Sequence, residues 1–191
     1  MAEYEFTAMP TLTSGVVSWQ LCVVKPTNQA GCGDGSQDHP YPNVIVAKDH
    51  GAATFQFKII SGINSPDVTF KQPPSSSNIG PIWVQATQKP TGPVLNGQID
   101  SPDGKANGHK VLTFKDKNDN TGGPLVLKYQ LNFVDQHGTS VNPIDPDITN
   151  GGHSFLTPTM ILITAAVIAA LVSVVVTFVL APIVARRAIK P

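Results

Sequence analysis

The chain has 191 residues with 13 basic and 13 acidic side chains, a formal net charge of zero, and 41% hydrophobic residues. The balance is uneven along its length: all 13 acidic groups and ten lysines precede Phe155, a net charge of −3, whereas Arg186, Arg187 and Lys190 close the chain. Clustered Lys and Arg of the kind that binds nucleic acid are missing, so no nucleic-acid partner is expected, and about 150 residues of mixed composition suit one domain rather than two.

At the N-terminus, Met1–Pro10 has neither a basic stretch nor an apolar run, so no secretory signal is read there, and residues 1–13 are taken as an extension ahead of the fold. From Val16 onward the apolar residues recur with period two. Phe55, Phe57 and Ile59 alternate with Gln56 and Lys58, and Tyr129, Leu131 and Phe133 alternate with Lys128, Gln130 and Asn132, the pattern of half-buried strands. Further strands are expected at Val16–Val24, Asn43–Ala47, Val68–Phe70, Ile82–Thr87, Val111–Phe114 and Thr139–Val141. Turn residues separate them, at Lys25-Pro26-Thr27-Asn28, Asp49-His50-Gly51, Asn96-Gly97, Pro102-Asp103-Gly104, Asn120-Thr121-Gly122-Gly123 and Gln136-His137-Gly138. Short strands at this spacing predict an all-β fold over residues 14–148, an antiparallel β-sandwich with Greek-key connections, with a small closed barrel as the competing architecture. The connections Pro26–Pro42 and Gln72–Gly80 exceed what hairpins need and are the places to look for a protein contact.

No reaction is announced by these residues. Cys22 and Cys32 lie ten positions apart, a spacing a disulfide could span in an exported domain; in the cytosol both would stay reduced, and neither has companions for a zinc site. Asp116-Lys117-Asn118-Asp119-Asn120 begins like a calcium loop but places Thr121 where the sharp-turn glycine belongs and Leu127 where a bidentate Glu belongs, which favours an Asx-rich turn. His39, His50, His109, His137 and His153 are scattered singly through turns and read as surface residues. Trp19 and Trp83 both sit in apolar strand patterns and read as core. With no nucleophile elbow, phosphate loop or dinucleotide fingerprint, no catalytic residue, metal or cofactor is assigned and the chain is not read as an enzyme.

The close of the domain carries a resemblance. Gly122–Gly138 followed by Asp145-Pro146-Asp147-Ile148-Thr149-Asn150-Gly151-Gly152 resembles the end of small bacterial β-sandwich proteins of the DP-EP family, where a hairpin leads into an Asp-Pro-x-Ile-x-Asn ending. The match covers about 30 residues. It implies a bacterial source and an immunoglobulin-like sandwich, and it brings no activity or site residue to carry over.

Beyond a linker at 149–157, Met160–Val184 is almost unbroken apolar sequence. About 25 residues at 1.5 Å each reach roughly 37 Å, so a single transmembrane helix is expected over 158–184, followed by a basic tail at 185–191. Along it Ala165, Ala169, Ser173, Thr177 and Ala181 recur every fourth residue, a ridge of small side chains suited to packing against another helix in lipid, and Arg186, Arg187 and Lys190 mark the interface. These charges put the C-terminus in the cytoplasm, while the lack of a signal leaves the domain there; the second argument is preferred, giving a tail-anchored, single-pass protein of the bacterial inner membrane. The expectation is a non-catalytic accessory subunit that stabilises or spaces a larger membrane complex, such as a respiratory or photosynthetic one. Its partners would be lipid and other membrane subunits, met through the helix and the domain loops. The alternative is a membrane-tethered recognition module whose loops bind a protein or carbohydrate.

Overall fold

A computed structural model describes residues 1–62, 65–73, 80–121 and 123–151. These fall in the first of the chain's two units, Met1–His153. β1 (Ala2–Thr13) buries Tyr4, Phe6 and Ala8 and turns Glu3, Glu5 and Thr7 outward. It returns as β2 (Val16–Lys25) through Ser14 and Gly15, whose φ values of 52° and 79° make the two-residue turn that matches strand twist. β3 (Gly31–Gly33) lies along β2, with Cys32 directly opposite Cys22, and those two cysteines are joined by a disulfide.

There follow β4 (Val44–Val46), β5 (Ala53–Ile59), β6 (Val68–Phe70), β7 (Ile82–Ala86), β8 (Ile99–Lys105), β9 (Val111–Asp116), β10 (Leu125–Asp135), β11 (Ser140–Ile144) and β12 (Asp147–Asn150). Among the described residues they form two six-stranded sheets. The first has the order β3-β2-β1-β5-β9-β8; in the second, β11 and β12 follow one another along one edge of the long β10, β6 and β7 lie along its other edge, and β4 pairs with β12.

Among the described residues the fold is mostly β-sheet, and the expected antiparallel immunoglobulin-like sandwich is corrected, because both sheets are mixed. β1 pairs parallel with β5, from Ala2 opposite Ala53 to Ala8 opposite Ile59, and β4 pairs parallel with β12. The reason lies at the N-terminus. Residues 2–13, expected as an extension, are a strand between β2 and β5, with β2 antiparallel on one side and β5 parallel on the other. Pro10 is tolerated in β1 because pairing with β5 ends at Ala8, leaving the strand with a single neighbour there.

The expectation of a single-pass, tail-anchored membrane protein is corrected as well. Among the described residues no helix is long and apolar enough to cross a membrane: the longest is the four-residue turn Ala106–His109, in which Asn107 and Gly108 are left-handed. A helical crossing needs about 20 residues. The span expected at 158–184, its ridge of Ala165, Ala169, Ser173, Thr177 and Ala181, and the flanking Arg186, Arg187 and Lys190 lie outside the described residues.

The two sheets enclose one apolar core. Its centre is aromatic: Phe6 and Phe57 stack at 4.3 Å between ring centroids, Tyr4 and Phe55 at 4.7 Å, Phe55 and Phe114 at 5.3 Å, and Phe114 meets Tyr129 of the opposite sheet at 5.6 Å. Each such ring contributes about 1.5–3 kcal/mol by leaving water. At the other end of the core Trp19 of β2 packs on Phe133 of β10 at 4.1 Å, and Phe70 of β6 lies 5.0 Å from the same ring.

Candidate functional site

Two places depart from plain apolar packing, one inside the domain and one at its end. The first grows out of β9, where alternation sends Leu112, Phe114 and Asp116 inward in one row. Asp116 is fully buried. Its Oδ1 accepts the backbone N–H of Asn118 at 3.0 Å and the side-chain amide of Asn150 at 2.7 Å; its Oδ2 accepts the Tyr129 hydroxyl at 3.1 Å. Asn118, also fully buried, donates its amide to the carbonyls of Ala47 and Gly51 at 3.1 and 3.3 Å. One carboxyl thus links β9 of the first sheet to β10 and β12 of the second, and the Asn118 amide beside it holds the turn after β4.

The electrostatics follow from burial. Removal from water pushes the Asp116 carboxyl above its usual range, and the three hydrogen bonds oppose that only in part. Burial, and then the Asp116 carboxyl beside it, drive the Tyr129 hydroxyl well above the ordinary tyrosine value. Neither group reaches solvent, so neither can meet a substrate. Nor is this a cation cradle: both oxygens of Asp116 face hydrogens where a metal requires lone pairs, and among the described residues no three of His, Cys, Asp and Glu gather around one point. The stretch Asp116–Asn120 is built of local turns, with Asn120 donating its amide to the Gly123 carbonyl at 2.7 Å.

The second place is a groove of about 530 Å³ between the β1–β2 turn and the β10–β11 hairpin. Trp19, only 3% exposed, donates its indole N–H to the carbonyl of Asn142, which lines the groove, at 2.8 Å; the Asn142 amide returns a bond to the Val17 carbonyl at 3.3 Å. Beyond Trp19 the inward stripe of the hairpin continues past the covered core as Val17 and its cross-strand partner Leu12. Leu12 and the neighbouring Val16 are 50% and 55% exposed. Opposite them stand Val141, Thr139 and His137, with Asp135 and Asp67 at the rim. Asp135 is occupied in shaping its own turn, accepting the N–H groups of His137 and Thr139 at 2.9 and 2.8 Å, and Asp67 pairs with Lys110 at 2.9 Å.

Of the residues singled out in the sequence, only the two cysteines are brought together among the described residues. Cys22 and Cys32 are bonded to each other. Trp19 is core, but Trp83 is half-buried on the outer side of β7, whose inward residues are Ile82 and Val84. His39 sits in the loop after β3, His50 in the turn after β4, His109 after β8 and His137 at the groove. The connection Pro26–Pro42 is structured, folding back through β3 so that the N–H groups of Asp34 and Gly35 meet the His39 carbonyl at 2.9 and 3.0 Å; a Cβ on Gly33 would overlap the Pro40 carbonyl. Burial, helped by the charges of Asp145 and Asp34, pushes the Tyr41 hydroxyl in this loop up to about 12. Most of the Gln72–Gly80 loop lies outside the described residues. Neither the groove nor the Asp116 cluster was foreseen. The signal for the first was the apolar pair Leu12 and Val16 flanking Ser14-Gly15, and for the second an acid ending an inward row. Compared with known proteins, the chain matches no family model and no curated protein.

Proposed function

We propose that this chain is a non-catalytic accessory module of a larger protein assembly, and that the groove at the end of its two sheets is where a partner protein docks. The observation that carries the reading is the exposure of Leu12 and Val16, two branched apolar side chains half in water at the β1–β2 hairpin, lining an open groove opposite the β10–β11 hairpin. Exposed apolar surface bordered by polar groups marks interaction sites more often than catalytic ones. The polar cluster that might otherwise suggest chemistry is closed to solvent, which favours a binding role. Hydrogen bonds from Trp19 and Asn142 fix both walls, so little ordering is needed when a partner arrives.

The test is isolation of the tagged full-length chain from its source cells, with partner stoichiometry measured by mass spectrometry. A partner at fixed ratio is expected with the native chain, lost or reduced at least tenfold in Leu12→Glu/Val16→Glu, with thermal unfolding of the domain unchanged. Undiminished partner recovery with the double variant would overturn the proposal.

A further inference from the structure

The chain between β2 and β3 closes a small ring, and the ring reaches a sheet edge. Cys22 and Cys32 are bonded across the β2–β3 pairing, so the loop they close contains the turn Thr27–Gln29. Among the described residues β4 has β12 as its one strand partner, which leaves its other edge open. Val46 accepts the Gly151 N–H on the β12 side at 2.8 Å; backbone groups of successive strand residues alternate between the two edges, so the N–H and carbonyl of Ile45 point outward. The Gln29 side chain takes both. Its amide oxygen accepts the Ile45 N–H at 2.8 Å, and its amide nitrogen donates to the Ile45 carbonyl at 3.0 Å, beside the Tyr4 hydroxyl at 2.9 Å. A carboxamide carries the donor and acceptor of a peptide group, so Gln29 stands where a neighbouring strand would pair, while the Ile45 side chain remains 54% exposed.

What holds Gln29 in place is the ring. β3 reads Gly31-Cys32-Gly33, so Cys32 supplies its single side chain, and that side chain is committed to Cys22. A strand this short, with two glycines, pairs weakly once the sulfur bond is gone. We propose that the Cys22–Cys32 bond is a redox latch on the β4 edge: closed, it presents Gln29 to Ile45; opened by a dithiol reductant, it lets Gln29 go and exposes the Ile45 N–H to water. Cys32 is exposed whereas Cys22 is buried, and Cys32 lines a surface hollow with Gln20, Asp34 and His39, so a reductant's thiolate meets the Cys32 sulfur first. That attack forms a mixed disulfide and expels the Cys22 sulfur as thiolate; the second thiol of the reductant then displaces Cys32. Two electrons and two protons end on the cysteines, and the reductant leaves as its own disulfide. The edge set free, Asn43–Ala47, is uncharged, with β-branched Val44, Ile45 and Val46 at its centre. Unpaired edges of that kind template pairing with another chain, and the closed latch guards against it.

The test is amide hydrogen exchange on the full-length chain, followed residue by residue by NMR with the disulfide closed and again after reduction with dithiothreitol, verified by mass. Reduction should speed exchange at Ile45 by at least about tenfold, while the amides of β5 and β9 keep their protection. In Gln29→Ala with the disulfide closed, Ile45 should exchange as fast as in the reduced native chain, and reduction should add nothing further. Cys22→Ser/Cys32→Ser should reproduce the reduced state without any reductant. Unchanged exchange at Ile45 after reduction would overturn the proposal, since Gln29 would then be held without the bond. Loss of protection throughout β5 and β9 would equally overturn it, because the disulfide would then hold the whole domain together and not one edge.

Discussion

The interior has an aromatic half and a polar half, and they meet on one ring. Tyr129 lays its face near Phe114 and sends its hydroxyl to Asp116. In the aromatic half the sheets are held by contact area alone, so the chemistry there is interchangeable and the volume is not: a different apolar side chain of the same size would serve, and a smaller one would leave a void. In the polar half the volume is small and the partners are not interchangeable. Removing one hydrogen-bonding group strands another in a place water cannot reach. The comparison teaches that the domain uses area for strength and the Asp116 cluster for registry, because the alignment of β9 against β10 and β12 must satisfy both bonds that the carboxyl takes from the other sheet, from Tyr129 and Asn150.

The sharpest way to break the aromatic half is Phe55→Ala. Phe55 is fully buried, with Tyr4 at 4.7 Å, Phe114 at 5.3 Å and Phe6 at 6.2 Å around it. Loss of that ring should lower the unfolding free energy by about 3–5 kcal/mol, read from urea denaturation, with an unchanged slope if the native state keeps its compactness. A loss under about 1 kcal/mol would mean that neighbouring rings close the cavity, and that this half is not packed as tightly as its centroid distances indicate.

In the polar half, Tyr129→Phe keeps the ring and removes only the hydroxyl. The aromatic contact with Phe114 survives while Asp116 Oδ2 loses its donor. A decrease of about 1–3 kcal/mol is expected, smaller than for Phe55→Ala. If the hydroxyl mattered only by its volume, the loss would fall to a few tenths, and the claim that this half fixes registry would fail.

The two halves were not equally legible in the amino-acid sequence. Period-two alternation exposes the rows Phe55, Phe57, Ile59 and Tyr129, Leu131, Phe133, since inward residues of a strand must repeat that way whatever the strand pairs with. The same alternation runs through Tyr4, Phe6 and Ala8, but reading Met1–Pro10 only for a leader hid a strand that sits in the middle of a sheet. β8 was obscured by Pro102-Asp103-Gly104, which reads as a turn; the structure accommodates it as an irregularity in register between Asp100 and Asp103. Parallel pairing of β1 with β5 and of β4 with β12 leaves no local trace, because no tight turn joins such strands. The Asp116 cluster is least legible of all: Asn150 stands 34 residues away, and nothing in one strand's pattern says which polar residue of another will answer it. The disulfide is an intermediate case, since a ten-residue separation permits the bond and only the register of β2 against β3 brings Cys22 and Cys32 face to face.

The smallest effect sharpens the contrast by moving it to the surface. On the outer side of β1, Glu5 takes hydrogen bonds and charge from Lys58 on β5 and Lys25 on β2, which hold its carboxyl below the usual glutamate range. Here the sign is the reverse of Asp116. A lowered folded-state value means the contribution is present above the unfolded value and is lost as pH falls through the folded one. All three side chains reach solvent, so Glu5→Gln should lower stability by no more than about 1 kcal/mol near neutral pH and by less in about 1 M salt. The difference from the native chain should vanish in acid, where Glu5 is protonated in both states. Acidification should thus weaken the bridge across the outer face of the first sheet. A Glu5→Gln loss that persisted in acid would show that this side chain acts by packing against β5, and that charge contributes nothing at that position.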